Sequence, residues 1–345
     1  MRARRQHLLV SAFLAVLSVP AMGSIKVVPE PGDERRETPP EVYLAGEISE
    51  ATVSELTSLA AGGRLDGAIV YLDSGGGDPQ AGMNLGGLIR ERRMNTAVGR
   101  AGRKAGQPSK GQCMSACVLA YAGGTFRFID PAAELGIHRF YRRTASSTDL
   151  DVAQVMSAAI TSYLIRMGID PGLFARMVQI GRGKMELLPH ADASKLNLVN
   201  NGVLPAEWAI EGKLGSVYLA GRQVTWNGTG KVVISCAASH QIRFSALYDA
   251  GENNRYIVRS AVNYSLRINE RFLPISTLSK PASESGEYVL ASFQPDANML
   301  WAIAAAEQIG FGFHTGSADT FYGFLISVAG QQDLIRSWVK HCTET

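Results

Sequence analysis

No excess of either charge marks this 345-residue sequence, in which 34 Lys plus Arg stand against 31 Asp plus Glu. Arg2, Arg4 and Arg5 make the difference, so without the N-terminal segment the two signs balance. Charge therefore gives no support to nucleic acid or any other polyanion as a partner. Spanning-length apolar runs are missing as well. Leu8–Pro20 is apolar over 13 residues, well short of the roughly 20 that cross a bilayer, and no later stretch reaches that length. The dinucleotide fingerprint G-x-G-x-x-G is also absent, because Gly75, Gly77 and Gly82 have the wrong spacing. His190, His240, His314 and His341 each lack a second ligand at metal spacing, so neither a metal nor a cofactor is expected. With 46% hydrophobic and 19% charged residues, disorder, collagen-like repeats and coiled coil are excluded too.

What is present begins with an export signal. Met1–His7 is basic, Leu8–Pro20 is apolar, and the small-residue site Ala21-Met22-Gly23 follows. This three-part layout predicts a signal peptide over 1–23 and an exported protein, periplasmic or secreted, with no membrane span after cleavage. Export implies an oxidising compartment in which the four cysteines can pair. Residues 24–40, rich in Pro and charge, read as a disordered lead-in.

From 41 to 204 short apolar runs alternate with helical periods, which predicts an α/β layer fold. Gly67–Leu72 reads as a buried parallel strand, Pro79–Arg93 as a helix with Pro in its first turn, and Ser115–Tyr121 as a short buried helix. Past Gly212 short β-rich runs dominate, Tyr256–Val258 among them. Residues 212–345 are expected to form a smaller β-dominated domain with two helices, Asn298–Gln308 and Gln331–His341.

Three segments of the first region bear on chemistry. Tyr71–Asp78 runs from a strand through Gly75-Gly76-Gly77 towards a helix, a place where bare backbone N–H groups suit an anion or oxyanion. Gly111–Cys117 leads Ser115 into a small-residue helix, and Glu134–His138 ends an apolar strand on a histidine. Taken singly, each has a plain structural reading: a tight turn, an N-cap serine, a structural histidine. Their combination is what suggests a site.

In order and spacing, Gly76-Gly77, Ser115 and His138 resemble the Clp protease proteolytic subunit and the wider Clp/crotonase superfamily. The match covers about residues 41–204 and includes the closing Ala191–Val199. Cys113-Met114-Ser115-Ala116-Cys117, Gly123-Gly124 and Leu135-Gly136-Ile137-His138 are similar to its exported branch. The resemblance implies a Clp/crotonase-like fold and a serine hydrolase, peptidase-like, acting on a peptide or acyl substrate. It implies Ser115 as nucleophile, His138 as base, and Gly76, Gly77 and Ala116 as the oxyanion hole. A homo-oligomer is left open. Two departures stand out. The family's acid should fall near Gln179–Gly181, where none exists, the nearest being Asp170, Glu186 and Asp192. Gly75 stands where the family has proline. A non-catalytic binding or scaffold protein of the same fold is therefore the alternative.

Cys113 and Cys117 flank Ser115, and three readings remain: a disulfide across one helical turn, two buried thiols, or a cysteine nucleophile. Cys236 and Cys342 are each other's natural partners, against the plainer reading of two buried thiols. Asn227-Gly228-Thr229 and Asn263-Tyr264-Ser265 match the glycosylation pattern. Arg90, Arg92, Arg93, Arg100, Arg103 and Lys104 read as a solvated basic helix end and loop.

Overall fold

The structure is a computed structural model that describes residues 23–28, 40–102, 107–140, 149–181, 183–213, 215–236, 241–316 and 321–344. The segment before Gly23, expected as a signal peptide, lies outside the described residues, as do Arg103, Lys104 and His240. The architecture is mixed α/β, with several sheets, and it divides between Val199 and Asn200 into two compact units. The division precedes Leu204 because Val203 already bridges Thr225 and the Leu204 N–H donates to the Val224 carbonyl.

The first unit runs β1 (Ser24–Val28), β2 (Glu41–Ala45), α1 (Glu50–Leu59), β3 (Ile69–Asp73), α2 (Pro79–Glu91), β4 (Asn95–Val98), β5 (Gln112–Met114) and α3 (Ala116–Ala122). It continues through β6 (Arg127–Ile129), β7 (Glu134–Ile137), α4 (Asp149–Arg166), α5 (Gly172–Gln179), β8 (Glu186–Leu187) and α6 (His190–Lys195). One sheet has the order β1-β2-β3-β4-β6, and a second has the order β5-β7-β8. Strands β2, β3, β4 and β6 pair in parallel. One face of β2 and β3 is fully buried, with Val42, Leu44, Val70 and Leu72 all at 1% exposure or less, and β4 is buried along its whole length. The start of the expected lead-in is instead strand β1, which pairs antiparallel with β2 from Ser24↔Ala45 to Val28↔Glu41. Its Ile-Lys-Val-Val segment has the β-branched residues a strand favours, and the open β2 edge supplies the partner.

Helix α2 starts at Pro79 behind Asp78, whose carboxylate accepts the Ala81 N–H at 2.8 Å. Its glycines let it lie directly on α3. A Cβ at Gly82 would stand 2.5 Å from the Ala116 carbonyl oxygen, and one at Gly86 would stand 2.7 Å from that of Leu119. Tyr163 of α4 caps this seam by donating to the Leu119 carbonyl at 2.7 Å. The far end of α3 is held by two arginines, half-buried Arg90 and buried Arg127. Arg90 donates to the carbonyls of Gly123 and Gly124 at 2.8 and 2.9 Å, and Arg127 to those of Gly124, Asn197 and Leu198. Burial lowers both pKa values, that of Arg127 to about 10, so Arg127 stays charged at neutral pH, and two guanidinium groups suit the carbonyl end of a helix. Arg90, read from the sequence as part of a solvated basic helix end, is thus half-buried and bonded to backbone carbonyls.

The second unit contains β9 (Glu207–Lys213), β10 (Ser216–Thr225), β11 (Gly228–Cys236), β12 (Ile242–Asp249), α7 (Asn254–Ser260), β13 (Ala261–Ile268) and β14 (Arg271–Ile275). Then follow β15 (Lys280–Ser285), β16 (Tyr288–Phe293), α8 (Ala297–Ala304), β17 (Gln308–Thr315), β18 (Phe321–Ser327) and α9 (Gln332–Glu344). Its two antiparallel sheets have the orders β15-β16-β12-β11-β10-β9 and β14-β13-β17-β18. Phe244, Phe293, Phe311 and Phe313 fill the core between them. Tyr256–Val258, expected as a strand, lies in α7. There Ile257 is fully buried, and the Asn254 side chain holds the helix start by bonding the Glu287 carbonyl and the Ala250 N–H. The expected helix Asn298–Gln308 stops at Ala304, and Gln308 opens a strand.

Candidate active site

Strands β5 and β7 pair in parallel, with Cys113 opposite Leu135 and Met114 opposite Gly136. This register continues past β5, where the Ser115 N–H donates to the Gly136 carbonyl at 2.8 Å. The chain then turns abruptly from strand into α3, with Ser115 at φ 57° and ψ −122°. A non-glycine residue disfavours such a conformation by about 1–3 kcal/mol, so it persists only where the surroundings enforce it. A strained strand-to-helix turn is also a way to hold a nucleophile exposed.

The Ser115 hydroxyl does not cap α3, although the residue stands at the N-cap position. It lies 2.7 Å from Nε2 of His138, and Nδ1 of the same ring lies 2.7 Å from the Arg139 carbonyl oxygen. A carbonyl only accepts, so in the neutral imidazole the proton sits on Nδ1. Nε2 then presents its lone pair to the hydroxyl. The ring is therefore in the tautomer that can take a proton from serine, with a backbone carbonyl in an orienting position.

The glycine loop approaches the same turn. Ser74 pairs with β5: its N–H donates to the Gln112 carbonyl and its carbonyl accepts from Met114, while Asp73 accepts the Gln112 N–H. Gly76 has φ +105°, and a Cβ there would stand 2.7 Å from the Ser115 Cβ and 3.3 Å from the Ala116 nitrogen. Gly77, at φ +151°, packs against the Ile48 backbone so closely that no side chain fits. Both positions require glycine, one for the approach to Ser115 and one for the approach to Ile48. The Gly76 N–H donates to Ser74 Oγ at 3.0 Å, so its contribution is close approach and not a donor. Among the described residues, the Gly77 and Ala116 N–H groups make no backbone hydrogen bond, since the Ile48 bridge uses the Gly76 carbonyl and the Asp78 N–H.

Asp170, Glu186 and Asp192 hold other partners. Asp170 accepts the Gly172 N–H at 2.7 Å. Glu186 and Asp192 both bind Arg176, the first through Nε at 2.8 Å and the second at 2.9 Å. Sequence reasoning missed three contributors: Ser74, Ile48 and the Arg139 carbonyl. Ser74 was visible within the glycine motif, but the other two act through backbone atoms that any residue carries.

Both cysteine pairs are disulfides. Cys113–Cys117 has a Cα separation of 5.2 Å and Cys236–Cys342 one of 5.4 Å. The first does not lie within one helix as the i,i+4 spacing suggested, because Cys113 belongs to β5 and the bridge spans the turn at Ser115. No group of three or more metal-ligating side chains occurs among the described residues. No helix among them is long and apolar enough to cross a membrane.

No protein-family model and no curated protein matches the sequence. Solved structures similar to it include two forms of the 1510-N membrane-bound stomatin-specific protease. A serine-to-alanine mutant is 17% identical at a TM-score of 0.35, covering 46% of this chain and 75% of that one. A lysine-to-alanine mutant in complex with a substrate peptide is 16% identical at a TM-score of 0.34, covering 46% and 71%.

Proposed function

We propose that the chain is an exported serine hydrolase of the Clp/crotonase type, peptidase-like, with Ser115 as nucleophile and His138 as general base. The observation that carries this reading is the Ser115 hydroxyl, which declines its local role as a helix cap and bonds Nε2 of an imidazole whose Nδ1 faces a backbone carbonyl. Ser115 Oγ attacks the carbonyl carbon of a peptide or ester while its proton passes to His138 Nε2. The oxygen that becomes negative is met by the N–H groups of Gly77 and Ala116. Collapse of the intermediate expels the amine or alcohol, which takes the proton from Nε2. Water then attacks the acyl-serine with His138 again accepting the proton, releasing a carboxylic acid and restoring Ser115. Export is supported by the two disulfides, which persist in oxidising compartments.

The second reading, a scaffold that keeps the fold without chemistry, draws on the engagement of Asp170, Glu186 and Asp192 elsewhere. A fluorophosphonate probe separates the two. The hydrolase reading expects covalent labelling of the wild type that Ser115→Ala abolishes. Absence of labelling in the folded wild type would support the scaffold instead.

A further inference from the structure

Cys113 and Cys117 are both fully buried, one in the last strand before Ser115 and the other in the first turn after it. Four residue steps of extended chain cover about 13 Å, whereas a disulfide tolerates a Cα separation of only about 7 Å. The bridge at 5.2 Å therefore exists only while the chain is turned at Ser115. Its strand end is fixed on both sides, by pairing with Leu135 in β7 and by a bridge to Ser74 in the glycine loop. One covalent bond thus joins the strand that leads to the serine, the helix that follows it, and the ladders leading to His138 and to Gly76-Gly77.

We propose that the Cys113–Cys117 disulfide is the positioning element of Ser115, holding the turn that aims its hydroxyl at His138, so that the site is competent only when the pair is oxidised. The competence half of this statement rests on the hydrolase reading above; the positioning half does not. Two cysteine thiols and one disulfide oxidant, such as oxidised glutathione, become the Cys113–Cys117 bridge and two free thiols, with both hydrogens and both electrons passing to the oxidant. A chain kept reduced would then carry an idle serine until it reached an oxidising compartment.

The test uses the full chain and two readouts. Imidazole nitrogen NMR of His138 reports the hydrogen bond from Ser115, with Ser115→Ala defining the signal when that bond is absent. The fluorophosphonate labelling rate reports nucleophile competence. In the double variant Cys113→Ala, Cys117→Ala, the His138 signal is expected to match that of Ser115→Ala, and labelling to fall at least tenfold. The double variant Cys236→Ala, Cys342→Ala should keep both wild-type values. A Cys113/Cys117 variant that keeps the wild-type imidazole signal and labelling rate overturns the proposal. Should that variant fail to fold, the wild type is equilibrated in graded glutathione buffers, and the oxidised fraction of the pair, read by mass, is compared with labelling. Coincident curves support the proposal, and labelling of molecules with the pair reduced overturns it. If the wild type never labels but its imidazole signal follows the pair, the hydrolase reading alone fails and the positioning role stands.

Discussion

Each unit of the molecule contains a serine hydroxyl 2.7 Å from a histidine Nε2, yet the two pairs have opposite surroundings. Ser115 stands at a positive-φ turn between a strand and a helix, faced by Gly76, whose conformation no other residue adopts easily. Ser265 lies in the middle of β13, paired in both ladders, opposite Pro274 and Gly312, and only 2% exposed. Its partner His314 reaches it from β17 and packs edge-on against Phe272. The second pair satisfies two polar groups on a sheet, whereas the first combines a serine at a strained turn, an imidazole whose other nitrogen faces a backbone carbonyl, and nearby N–H groups that make no backbone hydrogen bond among the described residues. A Ser–His hydrogen bond is thus common to both, and the backbone around it sets them apart.

The sharpest way to break this comparison is covalent labelling. Ser115→Ala is expected to abolish fluorophosphonate capture while Ser265→Ala leaves it intact. His138→Ala should slow labelling by roughly 10²- to 10⁴-fold if the proposed dyad operates, whereas His314→Gln should not change it. Labelling that followed Ser265 would reverse the assignment of the two pairs.

The disulfides invite a second contrast, in stability. The Cys236–Cys342 bridge spans 106 residues and the Cys113–Cys117 bridge spans 4. Chain entropy assigns them upper values of about 4.7 and about 2 kcal/mol respectively. Denaturant unfolding of the two alanine double variants should therefore show the larger loss of stability for Cys236/Cys342. The larger loss of labelling should belong to Cys113/Cys117. If one pair dominated both measurements, the division of roles between the bridges would collapse.

The packing of the first unit can be probed next. Gly82→Ala places a methyl against the Ala116 carbonyl, so the first unit should lose about 1–3 kcal/mol by overpacking. Gly87→Ala, on the same helix with open space around its Cα, should be neutral or slightly stabilising through better helix propensity. Equal effects in urea unfolding would show that α2 does not lie as tightly on α3 as the contact distances require.

The smallest expected effect concerns pH. Burial, with help from the nearby Arg267 guanidinium, lowers the pKa of His314 below its ordinary 6.5. The unfolded chain then binds the proton more readily than the folded one. Stability is complete above pH 6.5 and declines as pH falls through the lowered value. His314→Gln, which can still bond Ser265, should flatten the acid side of the stability profile. An unchanged slope would exclude His314 as its source.

Much of the first unit could be read directly. The continuous apolar run ending at Leu72, Pro79 behind Asp78, and the ordered trio Gly76-Gly77, Ser115 and His138 all correspond to observed elements. The second unit was less legible. Tyr256–Val258 has strand-forming side chains, but a helix whose start is tied by Asn254 and whose Ile257 is buried overrides that propensity. The strands β14 and β15 were hidden by Pro274 and by polar residues, both features of sheet edges, which these strands occupy. In β17, Gly310 and Gly312 interrupt the signal of an otherwise aromatic strand.

The sequence by itself determined the inventory: alternating strands and helices, a serine entering a helix, a histidine closing a strand, and cysteines at separations of 4 and 106. Those are properties of residue type and order, and they survive without coordinates. Only the tertiary structure decided that Ser115 turns instead of capping, that the Gly76 N–H goes to Ser74, and that the Arg139 carbonyl lies within hydrogen-bond distance of His138 Nδ1. Each of these is a choice of backbone torsion or main-chain partner. Every residue except proline offers the same N–H and C=O groups, so which of them meet is set by strand register and packing, not by the side chains that the sequence spells out.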